Sequence, residues 1–161
     1  MSAKTVNIRI AGIGGMGVLT SSRILAELLF QCGYDVKKAE VHGMSQRGGS
    51  ICSDVRFGTK VHSPMIPSGE IDYLLLFQRD QYELYQGDCG AQTKVLCADE
   101  LELDALPKRK TLNVAMLGLL SRQLDIEPER WLEVIAQIVP ERFMEINRAA
   151  FLLGRGEGEA E

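Results

Sequence analysis

A single α/β domain in three layers, α/β/α, with helices on both faces of a mixed but mostly parallel sheet, is the fold this sequence predicts. Three observations predict it. An apolar strand at the N-terminus passes through a glycine-rich turn into a helix and then a second strand; the continuous apolar run Ile71 to Phe77 has the character of a central strand; and the C-terminal third carries apolar residues at helical spacing. The 161 residues suit one domain, expected over residues 1–153, with a polar, acidic tail at 154–161 that frays.

Val6 to Ile10 reads as a buried strand, Gly12 to Gly17 as a tight turn, and Met16 to Cys32 as a helix whose Val18, Leu25, Leu28, Leu29 and Cys32 share one face. Gly33 occupies a helix-terminating position and Tyr34 to Ala39 reads as the next strand, completing a Rossmann-like βαβ unit. After the glycine-rich loop Val41 to Gly49 comes a strand at Ser50 to Phe57. The turn signal Gly58-Thr59 predicts a short antiparallel return through Val61. Ser63-Pro64 and Ile66-Pro67-Ser68-Gly69 mark an irregular crossing to the central strand. A helix is expected at Arg79 to Tyr85, a strand at Thr93 to Ala98 and a helical turn at Asp99 to Leu106. Asn113 begins or caps a helix with the stripe Met116, Leu117, Leu120 and Leu124; Pro128 starts another, burying Trp131, Val134, Ile135 and Ile138. Pro140 breaks that helix, and a last amphipathic segment carries Phe143, Ile146 and Ala150 towards Gly154.

Composition narrows the function classes. Hydrophobic residues make up 45% and charged residues 25%, as in ordinary globular domains. With a net charge of −4 and no Lys/Arg cluster large enough for a nucleic-acid footprint, nucleic acid is not an expected partner. No apolar run reaches the roughly 18 residues of a membrane helix, and Met1 to Thr5 lacks the features of a secretory signal, so a cytoplasmic location and no membrane contact are expected. Cys32, Cys52, Cys89 and Cys97 are too far apart in sequence for a zinc knuckle or a ferredoxin-type cluster, and two histidines are too few for a histidine-based metal site. Reduced cysteines acting as small apolar residues are the simplest reading.

Two loops are rich enough in chemistry to be sites. Gly12-Ile13-Gly14-Gly15-Met16-Gly17 fits GxGxxG at a strand-to-helix junction, where glycines let backbone approach a phosphate and the helix start presents N–H groups. Glu40, about 20 residues on, suits the acid that binds a ribose hydroxyl in dinucleotide folds. The competing reading is close packing of strand, helix and partner, with Glu40 merely a charge at a strand end. The second loop is His42-Gly43-Met44-Ser45-Gln46-Arg47-Gly48-Gly49. Following a strand parallel to the first, it is expected to face the glycine loop from the same sheet edge. Arg47 suits bidentate capture of a phosphate or carboxylate, and His42 suits a structural hydrogen bond better than a general base. No nucleophilic triad, carboxylate pair or P-loop lysine is present in the pattern, so no catalytic residue is assigned.

These two loops, with Val55-Arg56-Phe57-Gly58, Ser63-Pro64-Met65-Ile66-Pro67, Asn113-Val114-Ala115-Met116-Leu117-Gly118 and Glu145 to Phe151, give nearly the whole chain a resemblance to the gamma domain of the pyruvate/2-oxoacid:ferredoxin oxidoreductases, nearest its indolepyruvate branch. The His42 to Gly49 run is the most specific element. The resemblance implies a cluster-free, non-catalytic small subunit of a complex that oxidatively decarboxylates a 2-oxoacid, commonly an aryl pyruvate, to an acyl-CoA and passes electrons to ferredoxin. It places thiamine diphosphate and 4Fe-4S clusters in a large, ferredoxin-like partner subunit. It implies no cofactor on this chain alone beyond a coenzyme A contact; Gly12, Gly14, Gly15, Met16, Gly17, Glu40, Arg47 and Asn113 are the candidate cofactor-binding residues, for coenzyme A or for a nucleotide. Residues 42–49 are implied to face the partner. Between Tyr85 and Asn113 the chain is shorter than the family pattern by about one βα unit, on the order of 30 residues. The rival reading is a stand-alone Rossmann-like nucleotide-binding module, and a third is a purely structural assembly protein.

Overall fold

The computed structural model describes residues 4–42 and 49–157. The elements in chain order are β1 (Val6–Ile13), α1 (Val18–Gln31), β2 (Asp35–His42), β3 (Ser50–Gly58), β4 (Ile71–Leu76), α2 (Tyr82–Tyr85), β5 (Cys89–Cys97), α3 (Leu112–Ser121), α4 (Pro128–Ile138) and α5 (Met144–Arg155), with short 3-10 turns between them.

The strands form one sheet in the order β2-β3-β1-β4-β5. β1 pairs with β4, and β4 with β5, in parallel, whereas β3 is antiparallel to both β1 and β2. The sheet is mixed as expected, but with two parallel and two antiparallel pairings it is not mostly parallel. The antiparallel element also differs from expectation. No return strand follows Gly58. Val61 is buried, and its N–H donates to Asp35 Oδ2 at 2.7 Å, so a side chain satisfies the backbone group that a ladder would have paired. Instead β3 inserts between β1 and β2. Its Ile51 to Val55 are all buried, which suits an interior strand better than an edge. Because β3 opposes both neighbours, β2 still runs in the direction of β1, and the segments following both strands leave from one sheet edge.

One face of the sheet carries most of the core. Ile8, Ile10, Val55, Phe57, Leu75 and Leu96 pack there against α1 (Ile24, Leu25, Leu28, Leu29), α3, α4 (Trp131) and α5 (Phe151). The opposite face has a smaller cluster, Ala11, Cys52, Leu74, Leu76 and Cys97, covered by Tyr82, Tyr85 and Ile66. The helix expected at Arg79 to Tyr85 is a 3-10 turn followed by the single-turn α2, so the second helical layer is thin.

α3 is buried at all ten positions, not along the one stripe its spacing predicts, and it ends before Leu124. It crosses α5 at glycines: a Cβ on Gly118 would meet the Phe151 carbonyl, and one on Gly154 would meet the Ala115 carbonyl. Gly154 therefore belongs to α5, which runs through Arg155 and ends at left-handed Gly156; it does not begin a tail. Between β5 and α3 lie only 3-10 turns, and β5 forms the sheet edge directly beside β4.

Candidate functional site at the sheet edge

Ile13 ends β1, and three consecutive features turn the chain into α1. Gly15 has φ +91° and Gly17 φ +87°, both in the region that residues with a Cβ avoid; the Met16 N–H donates to the Ile13 carbonyl at 3.1 Å. Gly12 is still in β1, and its glycine serves packing, since a Cβ would lie 3.0 Å from both Phe77 Cβ and Val18 Cγ2. Gly17 is doubly constrained, because a Cβ there would also lie 2.6 Å from Asn113 Nδ2. Asn113 thus sits against the glycine loop although 96 residues separate it from Gly17 in the sequence. Its carbonyl accepts from Ser21 Oγ at 3.1 Å, tying α3 to α1, and its Oδ1 accepts from the Val114 N–H at 2.9 Å within α3. Gly14 has no such constraint among the described residues: a Cβ would touch Gly49 O, at 3.7 Å.

The two loops meet. The Gly14 N–H donates to Gly49 O at 3.0 Å, and Gly49 takes φ +70° just before β3. Beside this contact is a cavity of about 310 Å³ lined by Gly14, Gly15, Gly17, Val18, Thr20 and Ile51 among others. The start of α1 has no acidic residue in its first turn and no side-chain cap. Its first-turn N–H groups and dipole therefore favour an anionic group in this cavity. His42 is placed only by its backbone, paired with Ile51 at the end of β2; Gly43, Met44, Ser45, Gln46, Arg47 and Gly48 lie outside the described residues.

Glu40 is not brought to the glycine loop. It lies on edge strand β2 opposite Ser53, with Oε1 3.1 Å from Lys38 Nζ, and β3 separates it from β1 by two strand spacings, about 10 Å. The dinucleotide fingerprint needs those two strands adjacent.

A charged network under the sheet escaped the sequence reading. Arg9 and Asp54 are register partners across β1 and β3; Arg9 Nε and Nη2 donate to the two Asp54 oxygens at 2.7 and 2.9 Å, and Nη1 donates to Asp88 at 2.8 Å. The Arg9 guanidinium also lies 5.6 Å from the Tyr85 ring centroid. Hydrogen bonding to Asp54 holds Arg9 protonated well beyond its ordinary range, and burial pushes the Tyr85 hydroxyl and the Cys52 thiol up. The available signal was a charge in the middle of each of two apolar strands, VNIRIAGI and SICSDVRFG. Among the described residues no group of three or more His, Cys, Asp or Glu is placed to hold a metal ion, and all four cysteines are free. No helix among them is long and apolar enough to cross a membrane.

A mixed sheet with helices mainly on one face is a fold shared with solved subunits. The keto/oxoacid ferredoxin oxidoreductase gamma subunit from Geobacter sulfurreducens superposes with a TM-score of 0.77 at 21% identity, covering 94% of this chain and 97% of that one. Pyruvate oxidoreductase subunit PORC from Thermotoga maritima does so with a TM-score of 0.65 at 25% identity, covering 96% and 97%. In sequence, indolepyruvate oxidoreductase subunit IorB from Thermococcus kodakarensis is 30% identical over 192 aligned positions, covering 94% of this chain and 95% of the relative. The profile of the pyruvate ferredoxin/flavodoxin oxidoreductase family matches residues 7–111, and the chain belongs to that family, on its small-subunit branch.

Proposed function

We propose that this chain is the cluster-free small subunit of a cytoplasmic, thiamine diphosphate-dependent 2-oxoacid:ferredoxin oxidoreductase that acts on indolepyruvate or a related aryl pyruvate. The observation that carries this reading is the end-to-end likeness to subunit IorB, 30% identical across 94% of this chain and 95% of the relative. The large partner subunit holds thiamine diphosphate and the 4Fe-4S clusters, and there the 2-oxoacid is oxidatively decarboxylated to an acyl-CoA while electrons pass to ferredoxin.

The small subunit contributes position, not reaction chemistry. Coenzyme A supplies the thiol that accepts the acyl group. The first turn of α1 offers backbone N–H groups beside a glycine-bared cavity for its phosphates, the Gly14 and Met16 N–H groups being engaged by Gly49 and Ile13, with Asn113 packed against Gly17. The segment 42–49, anchored to that loop through Gly14 and Gly49, faces the partner, with Arg47 as its charged anchor. The backbone bond between the two loops makes the phosphate cradle and the partner contact one mechanical unit.

Co-expression with the large subunit tests this. The complex is expected to reduce a viologen dye in the presence of indolepyruvate and coenzyme A, while the lone chain has neither iron nor activity. Stoichiometric iron in the lone chain, or NAD-linked turnover by it, would overturn the assignment; a complex active on pyruvate but inert to aryl pyruvates would overturn the substrate class.

A further inference from the structure

The sheet changes winding direction between β1 and β4. The connection leaving β1 is α1, packed on the main core face, while the connection leaving β4, through α2, covers the opposite face. Such a divergence opens a crevice beyond the carboxyl ends of the two strands, the usual place for a ligand in open α/β sheets. The glycine loop occupies the β1 side. On the β4 side lies a second cavity of about 430 Å³, within the range of roughly 300–1,000 Å³ typical of small-molecule sites.

Its walls are Phe77, Leu103, Leu106 and Leu112, with Arg109 and Asp104 as the charged groups. Phe77 is fixed at the strand end, its N–H donating to Ala11 O at 2.9 Å. Leu103 is held in a turn closed by its own backbone, with the Leu106 N–H donating to Leu103 O at 3.2 Å, yet its side chain is 46% exposed. Leu106 packs on the core behind it. Two neighbouring cations are engaged elsewhere: Arg79 pairs with Asp99 at 2.8 Å, and Lys110 stacks on Phe143 at 4.1 Å. The Arg109 carbonyl accepts from the Leu112 N–H, but its guanidinium has no hydrogen bond or ion pair to any described residue.

We infer that this cavity binds a small carboxylate with an apolar, aromatic-sized body, the body against Phe77, Leu103, Leu106 and Leu112 and the carboxylate on the Arg109 guanidinium. A guanidinium fork matches a carboxylate with two parallel hydrogen bonds. The second charged group selects against a nucleotide, because Asp104 in the same lining opposes the multiple negative charges of a di- or triphosphate. The site lies wholly within this chain and goes beyond the proposed function, standing or falling independently of it.

The test is calorimetry on the full-length chain, with indole-3-acetate as probe, neutral indole and AMP as comparisons, and methyl NMR to locate the contact. Indole-3-acetate is expected to bind more tightly than indole or AMP and to shift the methyl signals of Leu103, Leu106 and Leu112. Arg109→Gln is expected to weaken it at least about tenfold, the scale of a lost charge-assisted pair. Leu103→Asp should abolish binding while thermal melting stays unchanged, since both positions are exposed. Equal binding of indole and the carboxylate, tighter binding of AMP, indifference to Arg109→Gln, or no binding at millimolar probe would each overturn the inference. Viologen reduction by the assembled complex reports separately on the proposed function.

Discussion

Replacing Gly118 with alanine sets two physical effects of opposite sign against each other. Within a helix, Ala is favoured over Gly by about 1 kcal/mol, so helix propensity alone predicts a more stable protein. The packing opposes it. A Cβ at Gly118 would strike the Phe151 carbonyl oxygen and lie 3.1 Å from the Gly154 Cα, and these backbone atoms can yield only if α5 moves as a body. Overpacking a close-packed contact costs about 1–3 kcal/mol, and more when no rotamer change can relieve it. α5 cannot move freely, since Phe151 is fully buried with its ring centroid 5.9 Å from that of Trp131. The clash therefore outweighs propensity, and Gly118→Ala should destabilise by about 1–2 kcal/mol net. For a domain of this size that lowers Tm by about 2–8 °C. Thermal and urea denaturation measure it, with Gly87→Ala as control, because a Cβ there meets nothing within 4 Å. A Gly118→Ala variant more stable than wild type would refute the claim that α3 and α5 cross in backbone contact.

Other outcomes follow from the same geometry. Gly17→Ala should destabilise by at least about 1–2 kcal/mol, the cost of a left-handed non-glycine residue, with the Asn113 collision added, whereas Gly14→Ala should melt close to wild type; equal effects would refute the special constraint on Gly17. Asp54→Asn leaves Arg9 buried with Asp88 as its one charged partner among the described residues, and a loss of about 3 kcal/mol is expected in urea denaturation, near the lower end for a broken buried pair. Arg47→Lys should leave the lone chain within about 0.5 kcal/mol of wild type but lower complex activity titrated against the large subunit; collapse of the melt with unchanged activity per folded complex would make Arg47 an internal tie.

Much of this protein was legible in one dimension because the causes were local. The GxGxxG turn, the apolar run of β4 and Pro128 at the first position of α4 each act within a few residues, so strand, turn and helix could be placed from Val6 to Gly33 and again from Pro128 onward. That the segments following β1 and β2 leave from one sheet edge was also foreseeable, since it follows from strand direction alone.

What only the tertiary structure decided were choices between chemically equivalent options. A strand such as Ser50–Gly58, whose Ser53 and Asp54 are buried along with its apolar residues, can pair on any side; its insertion between β1 and β2 depended on long-range pairing, and that insertion removed Glu40 from the glycine loop. Arg9 and Asp54 are 45 residues apart, and nothing local marks them as partners until the antiparallel register sets them face to face. A glycine in a helix signals weakness until a second helix crosses it, and so Gly154 read as the start of a tail where it is the contact that seats α5 on α3. Sequence determines what each segment can do over one or two turns of chain; which partner it does it with is set by burial and register, and these are properties of the whole fold.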